Sequence, residues 1–288
     1  MAKKKKKRMT KKRRKQLWLG LLTTILGMAA LLVLALVLPE LPGTPTQEIT
    51  LPTETQPEPT EEPIPLNPYG PEDFQYDGDY LTCVAGESRL GIDVSAYQET
   101  VDWQQVAQAG VEFAMIRVGF RGYDSGVMKV DEYARDNLAA SAEAGLDRGV
   151  YFFSQAVTTE EARQEARFVL AVLDGQELEL PVVFDWEYVS WDARTGTMDP
   201  RTLTDCAKVF CQEIEDAGYE AMIYFNSYMA QDLLFLEELV EYPFWLAMYE
   251  DQLNWPYRVQ MWQYTETGSV PGIQGNVDIN LWLEDFGD

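Results

Sequence analysis

The 288-residue chain contains no histidine, which excludes several kinds of catalytic chemistry. Without an imidazole there can be no Ser-His-Asp or Cys-His nucleophile, no histidine general base and no zinc site with a histidine ligand. Cysteine is also scarce, with three residues and no CxxC pair of the kind found in metal clusters. Because 23 Lys and Arg face 47 Asp and Glu, any acid–base catalysis would fall largely to carboxyl groups.

The net charge of −24 is distributed unevenly along the chain. Eleven of the 23 basic residues lie within residues 1–15, where there is no acidic residue. Residues 39–88 contain 11 acidic residues and no basic one, and residues 89–288 contain 36 acidic and 12 basic residues. This distribution indicates three parts: a basic head, an acidic tether and an acidic body.

An uncharged run of 22 residues, 17–38, separates the head from the tether. As a helix it would be about 33 Å long, enough to cross a hydrocarbon core about 30 Å thick. A cleaved signal peptide is the alternative, but its apolar region usually has only about 7–15 residues. We therefore expect an uncleaved transmembrane signal anchor at 17–38, with residues 1–16 forming a basic cytoplasmic segment. The body would then lie outside the cytoplasm.

An alternative interpretation is that the basic head binds nucleic acid. Directly beside a membrane span, however, basic residues are explained by the positive-inside rule and by attraction to anionic lipid. We therefore expect the membrane, and no nucleic acid, to be the partner of this segment.

Residues 39–88 contain ten of the 15 prolines and few large apolar side chains. Such a segment cannot bury enough apolar surface to offset its conformational entropy, so we expect a disordered linker. The pattern leaves open whether residues 74–83 already pack on the body. The folded domain is expected to cover residues 89–288.

From residue 90 onward, strand-like and helix-like patterns alternate. Eight short runs are rich in β-branched and aromatic residues: 90–97, 113–120, 149–156, 181–187, 220–227, 244–249, 258–264 and 277–283. Apolar residues follow helical spacing over 103–109, 132–144, 159–173 and 203–217. This alternation predicts an α/β fold with a parallel sheet covered by helices, and eight strands suggest a barrel. An open doubly wound sheet is the alternative, but no GxGxxG or P-loop follows the first run.

Four carboxylates lie where we place the carboxyl ends of strands, the usual position of functional residues in parallel α/β folds. They are Asp93 on the first run, Asp185 and Glu187 on the fourth, and Asp278 on the last. Residues two apart on a strand point to the same side, with Cα atoms about 6.5–7 Å apart. Close carboxylates repel each other, so one keeps its proton to a higher pH and the pair supplies an acid and a base. Glycosidases work with such a pair.

The alternative is that this D-x-E pair arose by chance, since the body contains 36 acidic residues. Most acidic residues lie on solvated surfaces. This pair, however, lies in the sequence PVVFDWEYV, an unusually apolar setting. The setting favours a functional pair.

Several motifs together resemble the Chalaropsis-type lysozymes of glycoside hydrolase family 25. In family order they are GIDVSAYQ, VDWQQVAQAGVEFAMIRVGF, GVYFFS, PVVFDWE, FWLAMY and MWQYTETGSVPGIQGNVDIN. The resemblance covers about residues 90–283 and leaves out the apolar run and the linker. It implies a flattened, modified β/α barrel of the TIM-barrel type. It also implies hydrolysis of the β-1,4 bond between N-acetylmuramic acid and N-acetylglucosamine in peptidoglycan. We expect no metal and no cofactor.

The resemblance implies a role for each carboxylate. Glu187 corresponds to the general acid of the family. Asp185 corresponds to the aspartate that stabilises the transition state or intermediate. Asp93 and Asp278 match two further acidic positions that line the cleft. The nucleophile stays open between a carboxylate and the 2-acetamido group of the substrate.

Four aromatic residues at or near the predicted strand ends are candidate substrate contacts: Tyr97, Tyr151, Tyr249 and Trp262. Tyr151 and Tyr249 also agree with family motifs, whereas packing between barrel and helices is the alternative for any of these rings. One departure is that many relatives have histidine after the tyrosine of the third-strand motif, where this chain has Phe152. The sequence thus predicts a membrane-anchored muramidase. A non-catalytic peptidoglycan-binding module on the same scaffold is the alternative.

Overall fold

A computed structural model describes residues 63–283 of the chain. The strands are β1 (Phe74–Asp77), β2 (Tyr80–Cys83), β3 (Ser88–Val94), β4 (Phe113–Arg121), β5 (Met128–Val130), β6 (Asp147–Ser154), β7 (Val182–Trp186), β8 (Ala221–Asn226), β9 (Phe244–Ala247), β10 (Met261–Gly268) and β11 (Val277–Leu283). The helices are α1 (Trp103–Gln108), α2 (Ala134–Glu143), α3 (Thr159–Leu173), α4 (Pro200–Asp216) and α5 (Ser227–Asp232). All eight predicted strands and all four predicted helices are confirmed, with small shifts at their ends.

The predicted barrel is also confirmed. Eight strands pair in the order β3, β11, β10, β9, β8, β7, β6 and β4, and pairing between β4 and β3 closes the ring. The short strand β5 adds to the outer part of β4. Strand β11 runs antiparallel to both of its neighbours, whereas the other neighbouring pairs in the ring are parallel.

The reversed direction of β11 follows from its short connection to β10. The loop runs from residue 269 to residue 276, and a parallel crossover needs about a dozen residues or more. The chain therefore turns back as a hairpin. This strand distinguishes the barrel from the all-parallel TIM barrel.

Strand alternation divides the apolar side chains into two cores. One set fills the barrel interior: Phe113, Met115, Tyr151, Leu180, Val183, Met222, Tyr224, Trp245, Ala247, Met261 and Trp282. The other, larger set lies between the strands and the surrounding helices. Because successive side chains point to opposite faces, residues next to each other in sequence belong to different cores.

Helix α4 begins at the predicted cap. The carboxylate of Asp199 accepts a hydrogen bond from the backbone N–H of Thr202, and Pro200 is the first helical residue. Its buried face includes Cys206 and Cys211, as expected for cysteines on a helix packed against the core. After the helix, Gly218 adopts φ +90°, a left-handed conformation that favours glycine.

The structure corrects the predicted boundary between linker and body. Residues 63–88 were assigned to the linker, with packing of 74–83 on the body left open, and 74–83 form the hairpin β1–β2, with Phe74 and Leu81 buried in the outer core. Leu66 also pairs with Tyr257 through a β-bridge. The folded body thus begins before residue 89, because these apolar side chains cover the outer face of β10.

The predicted anchor at 17–38 and the remaining linker at 39–62 lie outside the described residues. Within residues 63–283, no helix combines the length and the apolar character needed to span a membrane.

Candidate active site

The structure brings all four predicted carboxylates to one end of the barrel. Asp93 and Asp185 lie near the carboxyl ends of β3 and β7, and Glu187 directly follows β7. The prediction that Asp278 lies at the carboxyl end of its strand is wrong, since it is the second residue of β11. It reaches the site because β11 is antiparallel, which pairs Asp278 in register with Asp93.

Asp93 and Asp278 form a hydrogen-bonded carboxyl pair. Burial, followed by the charge of Asp93 and the hydrogen bond with it, raises the pKa of Asp278 to about 9. Burial also raises the pKa of Asp93, but hydrogen bonds from Asn280, Gln263 and Asp278 oppose this rise. The Nε2 of Gln263 lies 2.7 Å and the Nδ2 of Asn280 lies 2.9 Å from Oδ2 of Asp93. At neutral pH Asp278 therefore holds a proton and donates it towards Asp93.

Asp185 and Glu187 form the second pair. Burial, then the charges of Glu187 and Asp93, raise the pKa of Asp185 well above its usual range, while Arg117 opposes the rise. Oδ1 of Asp185 is buried and has no hydrogen-bond partner among the described residues. Burial, followed by the charges of Asp93 and Glu266, raises the pKa of Glu187 from 4.5 to about 7. The two carboxyl groups therefore cannot both be ionised at neutral pH without a large energetic cost.

A buried amide fixes the backbone at Glu187. The Nε2 of Gln155 donates a hydrogen bond to the carbonyl oxygen of Glu187 at 2.8 Å, and its Oε1 accepts one from Thr195 Oγ1 at 3.0 Å. Arg194 donates to the carbonyl oxygen of Gln155 and forms two hydrogen bonds with the carboxylate of Glu161. These contacts join the loop after β7 to the end of β6. They hold the backbone that carries the Glu187 side chain.

Three of the four predicted aromatic contacts lie at this end of the barrel. Tyr151 is buried, and its pKa is raised by burial and then by Asp93, Asp185 and Asp278, so its hydroxyl lies among the carboxylates. Tyr249 is 47% exposed and donates a hydrogen bond to Oε1 of Gln263 at 3.1 Å.

Tyr97 is 84% exposed and lies in the short 3-10 helix that follows β3. Its ring is 5.4 Å from the guanidinium carbon of Arg117. Arg117 in turn pairs with Asp131, with 2.8 Å between Nη2 and Oδ2. An exposed ring at this position is available to a ligand.

The structure does not bring Trp262 to the site. Its ring is fully buried in the outer core, edge-on to Phe74 at 5.1 Å, and its Nε1 donates to the carbonyl oxygen of Met248 at 2.8 Å. Because adjacent residues on a strand face opposite sides, Gln263 points into the barrel instead. Trp262 therefore packs against the hairpin β1–β2, and its role as a substrate contact is not supported.

Sequence reasoning missed the buried amides that organise the carboxylates. Gln263 accepts hydrogen bonds from Tyr224 and Tyr249 while donating to Asp93. Asn280 accepts from Nε1 of Trp245 at 2.9 Å and also donates to Asp93. The sequence does contain a signal for them: each of the apolar strands β10 and β11 includes one amide side chain. A buried amide needs hydrogen-bond partners, so such a residue indicates a polar contact inside the barrel.

Within the part of the chain that the structure describes, no group of three or more Cys, Asp and Glu side chains is arranged to hold a metal ion. The titratable groups gathered at this end of the barrel are carboxyl groups. A carboxyl group with a pKa of about 7 can give a proton to a leaving group, and a second carboxylate beside it can stabilise positive charge. Carboxylate-dependent glycosidases use this combination.

Comparison with known proteins identifies the family. The family described as "Glycosyl hydrolases family 25" matches residues 92–273, and the chain belongs to this family. The "Uncharacterized protein YegX" of Escherichia coli K12 is 30% identical over 199 residues, which cover 67% of this chain and 68% of YegX. "Lysozyme M1" of Streptomyces globisporus is 26% identical over 206 residues, which cover 66% of each protein.

Solved structures share the fold. The autolysin LytC of Streptococcus pneumoniae, solved with a synthetic peptidoglycan ligand, has a TM-score of 0.60 and 25% identity. The match covers 68% of this chain but only 46% of LytC. The lysozyme of Streptomyces coelicolor has a TM-score of 0.56 and 23% identity, with 68% of this chain and 92% of that structure covered. The chain is thus a glycoside hydrolase of the lysozyme type, and its hairpin β1–β2 lies outside the family match.

Proposed function

We propose that this protein is a muramidase that hydrolyses the β-1,4 bond between N-acetylmuramic acid and N-acetylglucosamine in peptidoglycan. The observation that carries the proposal is the cluster of four carboxyl groups at one end of the barrel, in which burial and neighbouring charge raise the pKa of Glu187 to about 7. Membership of the family and the similarity to lysozymes support the substrate class.

In the proposed reaction, Glu187 transfers its proton to the glycosidic oxygen as the bond to the anomeric carbon breaks. The ionised carboxylate of Asp185 stabilises the positive charge that develops on the sugar. Water then supplies its hydroxyl group to the anomeric carbon and returns a proton to Glu187. Burial holds the pKa of Asp185 well above its usual range in the resting site, so its ionised form is reached as positive charge develops on the sugar, with the proton on Glu187.

The pair Asp93 and Asp278 influences the protonation of Glu187. Asp278 holds a proton, and Asp93 accepts hydrogen bonds from Gln263 and Asn280. Negative charge on Asp93 raises the pKa of Glu187 and so favours its protonated form. We infer that this pair tunes the acid and orients the substrate.

Purified peptidoglycan provides the test. Digestion followed by mass spectrometry identifies the sugar at the new reducing ends, and we expect N-acetylmuramic acid. N-acetylglucosamine at that end would contradict the proposed bond specificity. Capture of intact glycan with no soluble product would instead indicate a non-catalytic binding module.

We also propose that residues 17–38 anchor the protein in the cell membrane, with the N-terminus cytoplasmic and the catalytic domain on the other side. The proposal rests on the uncharged run of 22 residues, the basic segment before it and the proline-rich residues after it. Protease added to intact cells without a wall should release the catalytic domain. Complete protection of the domain would contradict this orientation.

A further inference from the structure

A groove with a volume of about 1000 Å³ lies between the hairpin β1–β2 and the outer side of β10 and β11. Its size is at the upper end of the range of about 300–1,000 Å³ found for small-molecule sites. Tyr76 and Tyr80 line it from the hairpin, and Tyr249 and Glu266 line it from the barrel. The groove therefore depends on a segment that the family match does not include.

The hairpin is held firmly enough to form a wall. Phe74 packs edge-on against Trp262, and the hydroxyl of Tyr264 accepts a hydrogen bond from the backbone N–H of Leu81. The hydroxyl of Tyr76 donates to Oδ1 of Asp251 at 2.7 Å across the groove. Even so, Tyr76 is 54% exposed, which leaves its ring accessible.

The groove lies beside the catalytic carboxylates, because two of its lining residues act on them. Tyr249 lines the groove, and its hydroxyl donates to Gln263, which itself donates to Asp93. Glu266 also lines the groove, and its charge acts on both Glu187 and Asp278. The groove therefore lies close to a glycan strand bound at the carboxylates.

The chemistry of the lining fits an uncharged sugar. Exposed tyrosine rings offer flat apolar faces with a polar edge. Asp251, Glu250 and Glu266 offer carboxylate oxygens that accept hydrogen bonds from hydroxyl groups and amide N–H groups. N-acetylglucosamine presents both kinds of donor together with apolar ring faces, and it lacks the lactyl carboxyl group of N-acetylmuramic acid, which an acidic lining would repel.

We propose that this groove is an additional saccharide subsite, which binds uncharged N-acetylglucosamine residues of the glycan strand beyond those at the cleavage site. The inference rests on the proposed muramidase function, because it takes the strand in the groove to be the one that is cut. Binding energy from these distant sugars would be used at the reacting bond, so long strands should be cut more efficiently than short ones.

The test compares peptide-free glycan strands that are either long enough to fill the groove or too short to reach it. Tyr76→Ala should lower the ratio of kcat/KM on long strands to kcat/KM on short strands by about tenfold. Tyr76→Phe keeps the ring and should preserve the ratio. Tyr219→Ala, which changes a tyrosine before β8 at the opposite end of the barrel, should also preserve it.

An unchanged ratio in Tyr76→Ala would overturn the subsite. A fall in the ratio only with strands that still carry stem peptides would also overturn it, since the peptide would then be the occupant. Failure of the wild type to cut any strand would contradict the muramidase function separately. Calorimetric binding of long peptide-free strands to the wild type and to Tyr76→Ala would then decide the subsite, with equal affinities counting against it.

Discussion

Replacing Glu187 with glutamine should make the folded protein more stable at neutral pH. The folded environment holds the pKa of this carboxyl at about 7, compared with 4.5 for an ordinary glutamate. Between these two pKa values the unfolded chain loses a proton that the folded protein keeps, so rising pH weakens folding. The amide of glutamine does not ionise and is free of this effect.

The pKa difference sets the size of the effect. Raising a carboxyl pKa from 4.5 to about 7 corresponds to an upper limit of about 3 kcal/mol in unfolding free energy. For a domain of this size, that is about 6–12 °C in Tm. The advantage of Glu187→Gln over the wild type should be small at pH 4, grow from pH 4.5 to 7 and level off above 7.

Thermal unfolding and urea unfolding at a series of pH values measure this difference. Glu132→Gln replaces an exposed glutamate and controls for the general effect of the substitution. A stability difference that does not vary between pH 4 and pH 8 would refute the reasoning. So would a variant that is less stable than the wild type throughout this range.

Other predictions concern the residues around the pair. Gln155→Leu should lower kcat more than it raises KM, because the Glu187 backbone loses its hydrogen bond, and steady-state kinetics measures this. Arg121→Ala should lower the unfolding free energy by about 3–5 kcal/mol in urea titration, because buried Glu165 loses its charge partner. Glu266→Gln should lower the pKa of Glu187, so that kcat/KM begins to fall at a lower pH in a pH–rate profile.

Each of these three predictions has a contradicting outcome. Gln155→Leu with unchanged kcat would show that the hydrogen bond does not position the acid. Wild-type stability in Arg121→Ala would show that Glu165 takes up a proton at no cost once its partner is removed. An unmoved pH profile in Glu266→Gln would show that its charge does not reach Glu187.

The sequence predicts the barrel well because its strands are buried on both faces. Such strands appear as continuous apolar runs, and α4 is marked at its start by Asp199 and Pro200. The hairpin β1–β2 was harder to predict, because proline and acidic residues around it dominate the local composition. Only a few buried side chains, such as Phe74 and Leu81, secure it.

The strand patterns in the sequence are not sufficient to predict how the site residues are oriented. Asp278 was correctly grouped with the other carboxylates, but its strand runs in the opposite direction, which depends on the length of the loop before it. Trp262 and Gln263 are neighbours on β10, and only the pairing of strands determines which of them faces the barrel interior. The amides that bond Asp93 come from β10 and β11, far from it in sequence.

The central claim is that Glu187 is the general acid of a muramidase. The most direct measurement is the rate of reducing-end release from purified peptidoglycan by the wild type and by folded Glu187→Gln at the same pH. We expect the variant to be slower by a factor of about 10²–10⁴, the usual contribution of a positioned acid. A variant rate close to that of the wild type would contradict the claim.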